Sequence, residues 1–319
     1  MIDVLQKAVE CVMSLFLIGL VGYILDKRQW FSAETKSMIP RLVTLITLPP
    51  YLFANMLNTF SKEELTGLLY GLLIPVMSIV ISFALGLATA RLLKVRQGRR
   101  GLFSTGFATS NTIFIGLPVN VALFGQEAIP YVLLYFFSNT IFFWTIGNYM
   151  LSLDGERNQE PIWSVGTLKR IMPPPFLGFL LGVLLVMVEF RPPTFFMDAA
   201  GYIGSLTMPL AIIFTGITLA SIKLRDLHLD RDVTCLMFGR FVLAPLSIIL
   251  LLPIIPIPAL MAKVFIIQAS LPVVSSAVLL AGYYRADVQY ASVVVSLSTL
   301  LTLVTIPVFM VVINFLGLD

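Results

Sequence analysis

Apolar residues run along this chain in long unbroken stretches rather than in alternation. Stretches of spanning length, bounded by charged residues or by Pro and Gly, fall at 8–25, 38–57, 68–90, 102–124, 129–151, 176–190, 195–220, 233–252, 258–281 and 288–315. Their continuity predicts ten transmembrane helices and argues against a membrane β-barrel, whose strands alternate lipid-facing and lumen-facing positions. The expected fold class is an all-α polytopic membrane protein. The first apolar run has no basic segment before it and no small-residue cleavage site after it, so it reads as a retained span rather than a signal peptide.

Two of these spans are interrupted. The stretch "SNTIFIGLPVN" places Ser110, Asn111, Thr112, Gly116, Pro118 and Asn120 inside span four. The stretch "QASLPVVSSA" does the same in span nine with Gln268, Ser270, Pro272, Ser275 and Ser276. Proline removes a backbone donor and clashes with the preceding turn, and glycine loosens the chain further. Freed backbone groups survive at membrane depth only when buried in protein or facing a water-filled cavity. A plain kink explains any single membrane proline. Two prolines at matching places, each flanked by polar residues, point instead to a functional break.

Charge sets the expected orientation. Of the 21 Lys and Arg residues, 17 fall in or beside the odd-numbered loops: Lys27, Arg28, Lys36, Arg41, Arg91, Lys94, Arg96, Arg99, Arg100, Arg157, Lys169, Arg170, Lys223, Arg225, Arg231, Arg240 and Arg285. Basic residues are retained on the cytoplasmic side, so both termini are expected outside and the central loop inside, in a cell membrane. A missed span would scramble this alternation.

The polar connector at 153–172 divides the chain into 1–152 and 173–319, five spans each. Features recur across it: "TLP" at Thr47–Pro49 and "TMP" at Thr207–Pro209, "LPV" at Leu117–Val119 and Leu271–Val273, Tyr131 with Tyr290, and Thr140 with Thr299. Three-letter coincidences are cheap in an apolar chain, but their shared order and spacing are not. Because five is odd, the second half starts on the opposite side of the bilayer, an inverted repeat. Such repeats with interrupted helices are a transporter pattern, and the interruptions point to the site.

Composition agrees with this reading and narrows the chemistry. The chain is 58% hydrophobic and 12% charged, with a mean hydropathy of +0.95. Its net charge of +4 reflects basic loops beside lipid headgroups, so the bilayer is the expected partner and nucleic acid is not. Cys11 and Cys235 are far apart, and His228 is the only histidine, so no metal or cofactor is expected. An intramembrane enzyme would need paired acids, a nucleophile with its base, or metal ligands at depth. None is apparent.

Beyond pattern, "SNTIFIGLPVNVALFG" (110–125), "IIQASLPVVSSAVLLAGYY" (266–284) and "RFVLAP" (240–245) resemble the auxin efflux carrier family, which includes plant PIN-type carriers and bacterial carriers of the malonate-transporter type. The resemblance runs the length of the chain as a ten-span pattern. It implies spans four and nine crossing, as in bile-acid-symporter and sodium–proton-antiporter folds, with a scaffold from spans one, two, six and seven. Spans three to five and eight to ten would form a mobile transport domain. It also implies elevator-type alternating access, a homodimer joined through the scaffold, and a small organic anion held near the prolines. Asn111, Pro118 and Pro272 are then the strongest site positions. The long central loop of the plant carriers is missing here, so regulation through it does not carry over.

The chemistry fits an anion. The helical segments after Pro118 and Pro272 are expected to start near the midplane, and helix N-termini with free amides can hold a carboxylate without a fixed cation. Asn111, Thr112, Asn120, Gln268, Ser270, Ser275 and Ser276 can add neutral hydrogen bonds around that point, where Gly116 loosens the chain; the competing role is a side chain bonding its own helix. On span two, Thr44, Thr47, Tyr51, Asn55 and Asn58 fall within about 80° of one another at ~100° per residue, a stripe that either packs helices or lines the path. Packing is favoured for Thr47 and the path for Asn55. Span five presents Tyr131, Tyr135, Ser138 and Tyr149 with Asn139 beside them. Arg240, about seven residues into span eight, attracts an anion, fixes helices or snorkels to the interface. The expected function is a carrier of carboxylates or auxin-like acids; sodium-coupled symport of the bile-acid type and a non-transporting receptor are the alternatives.

Overall fold

The computed structural model describes residues 2–63, 65, 69–156, 174–220 and 229–318. In chain order its helices are α1 (Ile2–Lys27), α2 (Glu34–Thr59), α3 (Tyr70–Leu92), α4 (Arg100–Ala108), α5 (Thr112–Phe124), α6 (Gln126–Asp154), α7 (Pro174–Met187), α8 (Thr194–Ala220), α9 (Arg231–Leu251), α10 (Ala259–Ala269), α11 (Ser276–Tyr284) and α12 (Val288–Phe315). Helices α2, α3, α6, α8, α9 and α12 are long and apolar enough to cross a membrane, and α5, α7 and α10 are shorter apolar helices. Strands are absent among the described residues apart from one isolated bridge between Ser110 and Val273. Most of the polar connector (157–173) and the basic positions Lys223 and Arg225, with His228, lie outside the described residues.

Prolines leave a recurrent mark on these helices. Widened π turns occupy Val43–Thr47, Thr112–Gly116 and Gly239–Leu243, and each ends just before a proline: Pro49, Pro118 and Pro245. A proline ring collides with the carbonyl four residues back, and opening the preceding turn to five-residue bonding moves that carbonyl aside. The helix therefore passes through the proline without breaking.

Two sets of helices pack closely. Helix α1 lies along α8, and α7 and the first part of α8 lie along the second half of α2. Without lipid-excluded apolar surface to drive them together, membrane helices associate through small residues that let backbones touch. At Gly216 of α8 a Cβ would stand 1.8 Å from the carbonyl oxygen of Gly19 on α1, so only glycine permits that contact. In the second set, α3 packs on α4 and α9, α4 and α11 pack on the end of α6, and α12 packs on α10 and α11. Buried Phe103, Phe107, Leu236, Val273, Tyr284 and Val294 make one of its cores.

Three helix starts in the second set are tied together by acids. Asp154 accepts from the Gly101 and Leu102 amides at 2.9 and 2.8 Å, capping α4. Asp230 caps α9 through the Val233 amide and Asp287 caps α12 through that of Tyr290. Arg99, just before α4, donates to Asp287 at 2.7 Å and to Asp230 at 3.1 Å, linking two of the caps. Each carboxylate sits at the positive end of a helix dipole, where it satisfies donors that have no partner inside the helix.

Candidate binding site

The break in span four lies earlier than its proline predicts. Helix α4 ends at Ala108, Thr109 is extended, and α5 begins at Thr112. The helical segment expected to start after Pro118 therefore starts six residues before it, and Pro118 sits buried on an intact helix behind a π turn. The physical reason is competition for the backbone. Thr109, Ser110 and Asn111 offer short polar side chains, and Asn139 of α6 grips Ser110 from both sides: its Oδ1 accepts the Ser110 amide at 2.9 Å and its Nδ2 donates to the Ser110 carbonyl at 3.0 Å. In span nine the break coincides with its proline. Helix α10 ends at Ala269 and α11 starts at Ser276, and Pro272 biases Leu271 away from helical geometry.

The two breaks cross. The Asn111 amide donates to the Pro272 carbonyl at 2.8 Å, within the antiparallel bridge of Ser110 and Val273. The Asn111 side chain donates to Ser275 Oγ at 3.0 Å, joining the two breaks a second time. What Asn139 does for the first break, Ser298 of α12 does for the second: its Oγ accepts the Val273 amide at 3.1 Å. Gln268 spans the crossing from α10, its Nε2 3.4 Å from the Thr112 carbonyl, and its Oε1 lies where a Cβ on Gly116 would come within 2.5 Å. Gly116 thus admits the amide. Gln268 Oε1, Asn120 Oδ1 and Ser110 Oγ are buried with no hydrogen-bond partner.

Arg240 is at the centre of this arrangement. It sits in the π turn of α9 with 0% exposure, so it does not snorkel. Its Nη1 donates to the Phe107 carbonyl near the end of α4 at 3.1 Å, and its Nη2 donates to the Ala269 carbonyl at the end of α10. Tyr135 stands beside it. A buried guanidinium normally needs an opposite charge. Here the two helix C-termini serve instead, each carrying partial negative charge and unsatisfied carbonyls.

Other predicted positions fall elsewhere or turn inward. Asn120 donates to the Gly116 carbonyl and Ser270 to the Ile267 carbonyl, both within their own segments. Asn55 donates to the Tyr51 carbonyl of its own helix and takes no part in the crossing's hydrogen bonds. It lines a cavity of about 320 Å³ with Tyr51, Ala54, Asn58, Gln126, Gly201, Ser205 and Met208. Thr47, favoured as a packing residue, receives a hydrogen bond from Thr207 at 2.9 Å in a fully buried contact between α2 and α8. Among the described residues no group of three or more His, Cys, Asp or Glu gathers to hold a metal ion.

The sequence profile of a family described as membrane transport proteins matches residues 7–310. The chain belongs to this family, the auxin efflux carriers. Relatives match over more than nine-tenths of their length. A protein of Methanothermobacter thermautotrophicus named "Uncharacterized transporter" is 26% identical over 97% of this chain and 99% of its own length. One of Methanocaldococcus jannaschii with a similar name is 21% identical over 93% and 96%. A Rhizobium meliloti protein named "Putative malonate transporter" is 24% identical over 92% of each chain. This auxin efflux carrier family member is thus a multi-pass membrane transport protein and not an enzyme.

The crossing of this family member also uses two residues outside the set expected from sequence, Ser110 and Ser298. Ser110 lies within the interrupting motif, but its contribution is backbone. Ser298 lies outside any motif, although it stands to Asn139 as Thr299 stands to Thr140, and that shared spacing is the available signal. Arg240, which the sequence left open between attracting an anion, fixing helices and snorkelling, fixes helices; distance along a helix does not reveal which carbonyls a side chain can reach.

Proposed function

We propose that this protein is a secondary carrier for small organic anions, carboxylates or auxin-like acids, working by elevator-type alternating access. The observation that carries the reading is the antiparallel contact of the two breaks, with the Asn111 and Ser275 side chains joined between the N-terminal ends of α5 and α11. Those two ends carry partial positive charge, which suits a carboxylate that must be released as well as bound. Asn111, Thr112, Ser275 and Gln268 are the substrate-facing candidates. The name of the Rhizobium relative supports a small anion only in outline.

The same proposal takes the chain as ten crossings in two inverted halves, 1–152 and 173–319. Two observations favour it. Thr47 and Thr207, the matching threonines of "TLP" and "TMP", meet each other, as residues near a two-fold axis do. Asn139 and Ser298, matching positions on α6 and α12, perform the same task on opposite breaks. In this scheme α1, α2, α7 and α8 form the scaffold and the dimer contact, the remaining helices move, and the cavity at Asn55 is the outward-side mouth between them. Both termini lie outside a cell membrane.

Uptake of labelled malonate, acetate and indole-3-acetate into liposomes holding the purified protein tests the reading. Asn111→Ala and Ser275→Ala should lower uptake at least tenfold while protein yield and melting temperature stay near wild type. Folded wild-type protein that moves none of a broad panel of organic acids, and whose melting temperature none of them raises, would sink it.

A further inference from the structure

Four helix ends meet at the crossing, and their charges can be added. Each end carries about half an elementary charge, positive at an N-terminus and negative at a C-terminus. Helices α4 and α10 contribute two C-termini, about one negative charge together, and α5 and α11 contribute two N-termini, about one positive charge together. Left to themselves the four ends balance, and an anion would arrive at a site already neutral. A cation would then have to accompany it.

Arg240 alters that sum. Its guanidinium donates to Phe107 near the end of α4 and to Ala269, the last residue of α10, placing one full positive charge against the two negative ends. It makes no salt bridge with any acid among the described residues, so its charge is not cancelled by a carboxylate. Its side chain is fully buried and held by a π turn of α9, which itself packs against α3 and α10. The charge is therefore part of the protein and not exchangeable with solvent.

We infer that Arg240 is the fixed counter-charge of the crossing: it neutralises the two C-terminal ends permanently and leaves the two N-terminal ends to be neutralised by one carried carboxylate, with no co-bound metal cation. This rests on the anion-carrier reading for its substrate, and on the geometry alone for the role of Arg240. Arg240 is a positioning residue; it acts through the helix ends and not by touching the carried anion.

The test has two arms. In liposomes, wild-type uptake of malonate, acetate or indole-3-acetate should be the same within twofold in sodium, potassium and N-methylglucamine salts. Arg240→Lys should retain part of that uptake, and Arg240→Gln should lose at least tenfold in N-methylglucamine and recover part of it when sodium or guanidinium is added. In detergent without any substrate, Arg240→Ala should melt below wild type and regain several degrees in millimolar guanidinium chloride but not in equal sodium chloride. Wild-type uptake that requires sodium overturns the inference while leaving the carrier reading intact. Wild type that moves no acid removes the carrier reading, and the guanidinium arm then decides alone. Equal melting of Arg240→Lys and Arg240→Met, with no guanidinium effect on Arg240→Ala, overturns the counter-charge whatever the transport result. If Arg240→Gln does not fold, the wild-type salt comparison and Arg240→Lys still decide.

Discussion

Replacing Asn139 with leucine removes both arms of the grip on Ser110 while keeping the same branched heavy-atom skeleton. The Ser110 amide is buried, and Asn139 Oδ1 is the acceptor it has at 2.9 Å. Its carbonyl keeps a second donor, the Thr112 amide at 3.0 Å. An orphaned buried donor costs about 1–3 kcal/mol, and losing one of two bonds to the carbonyl adds roughly 0.5–1.5 kcal/mol. Asn139→Leu should therefore cost about 1.5–4.5 kcal/mol. Ser298→Ala orphans only the Val273 amide and should cost about 1–3 kcal/mol. Because Ser110 and Val273 are bridge partners, the double variant should cost less than the sum of the two. Reversible unfolding in detergent, followed by tryptophan fluorescence, gives these differences, and liposome uptake gives their effect on transport. Wild-type stability and uptake in Asn139→Leu would refute the claim that side chains from α6 and α12 hold the breaks open. Strict additivity of the double variant would refute the bridge as their link.

Further outcomes can be checked independently. A double-mutant cycle of Thr47→Val and Thr207→Val should show a coupling of about 0.5–1.5 kcal/mol in unfolding, the value of one buried hydrogen bond. At Gly201 a Cβ meets nothing within 4 Å, so Gly201→Phe should fill part of the 320 Å³ cavity without lowering the melting temperature, and uptake should fall if the cavity is the outward mouth. Burial would raise the pKa of Asp287, but hydrogen bonds from the Tyr290 amide and Arg99 and the charges of Arg99 and Arg96 outweigh it and hold the carboxyl below its ordinary value. Its contribution is then present above the unfolded carboxylate pKa and is lost as pH falls through the lower folded one. Melting temperature against pH should accordingly fall less steeply below the ordinary carboxylate range in Asp287→Asn than in wild type.

Much of this protein is written in the order of its residues. Spanning length follows from the thickness of a bilayer, and an apolar run of that length in a chain this poor in charge has few other uses, so the all-helical membrane class was legible throughout. The two polar interruptions were equally visible, because polar residues gathered around a proline inside a span leave groups that need partners. Asn111, Gln268 and Ser275 were found this way, and the structure brings them together.

What sequence could not decide was where the backbone breaks and what satisfies it. Pro118 looked like the break because a proline's local penalty is readable. The π turn that absorbs it, and the Asn139 grip that opens the chain at Ser110 instead, both depend on neighbours 29 residues away or on turn geometry. Arg240 carries the same lesson more sharply. Along the sequence it is a lone cation in a span, equally able to snorkel or to bind. Its role rests on two carbonyls, one 133 residues before it and one 29 after, that become its partners only when two separate helices end at the same point. Composition and periodicity determine which residues enter the membrane, since each residue meets the lipid by itself. Only the tertiary structure decides which buried polar groups find each other, since a hydrogen bond needs two groups at one place.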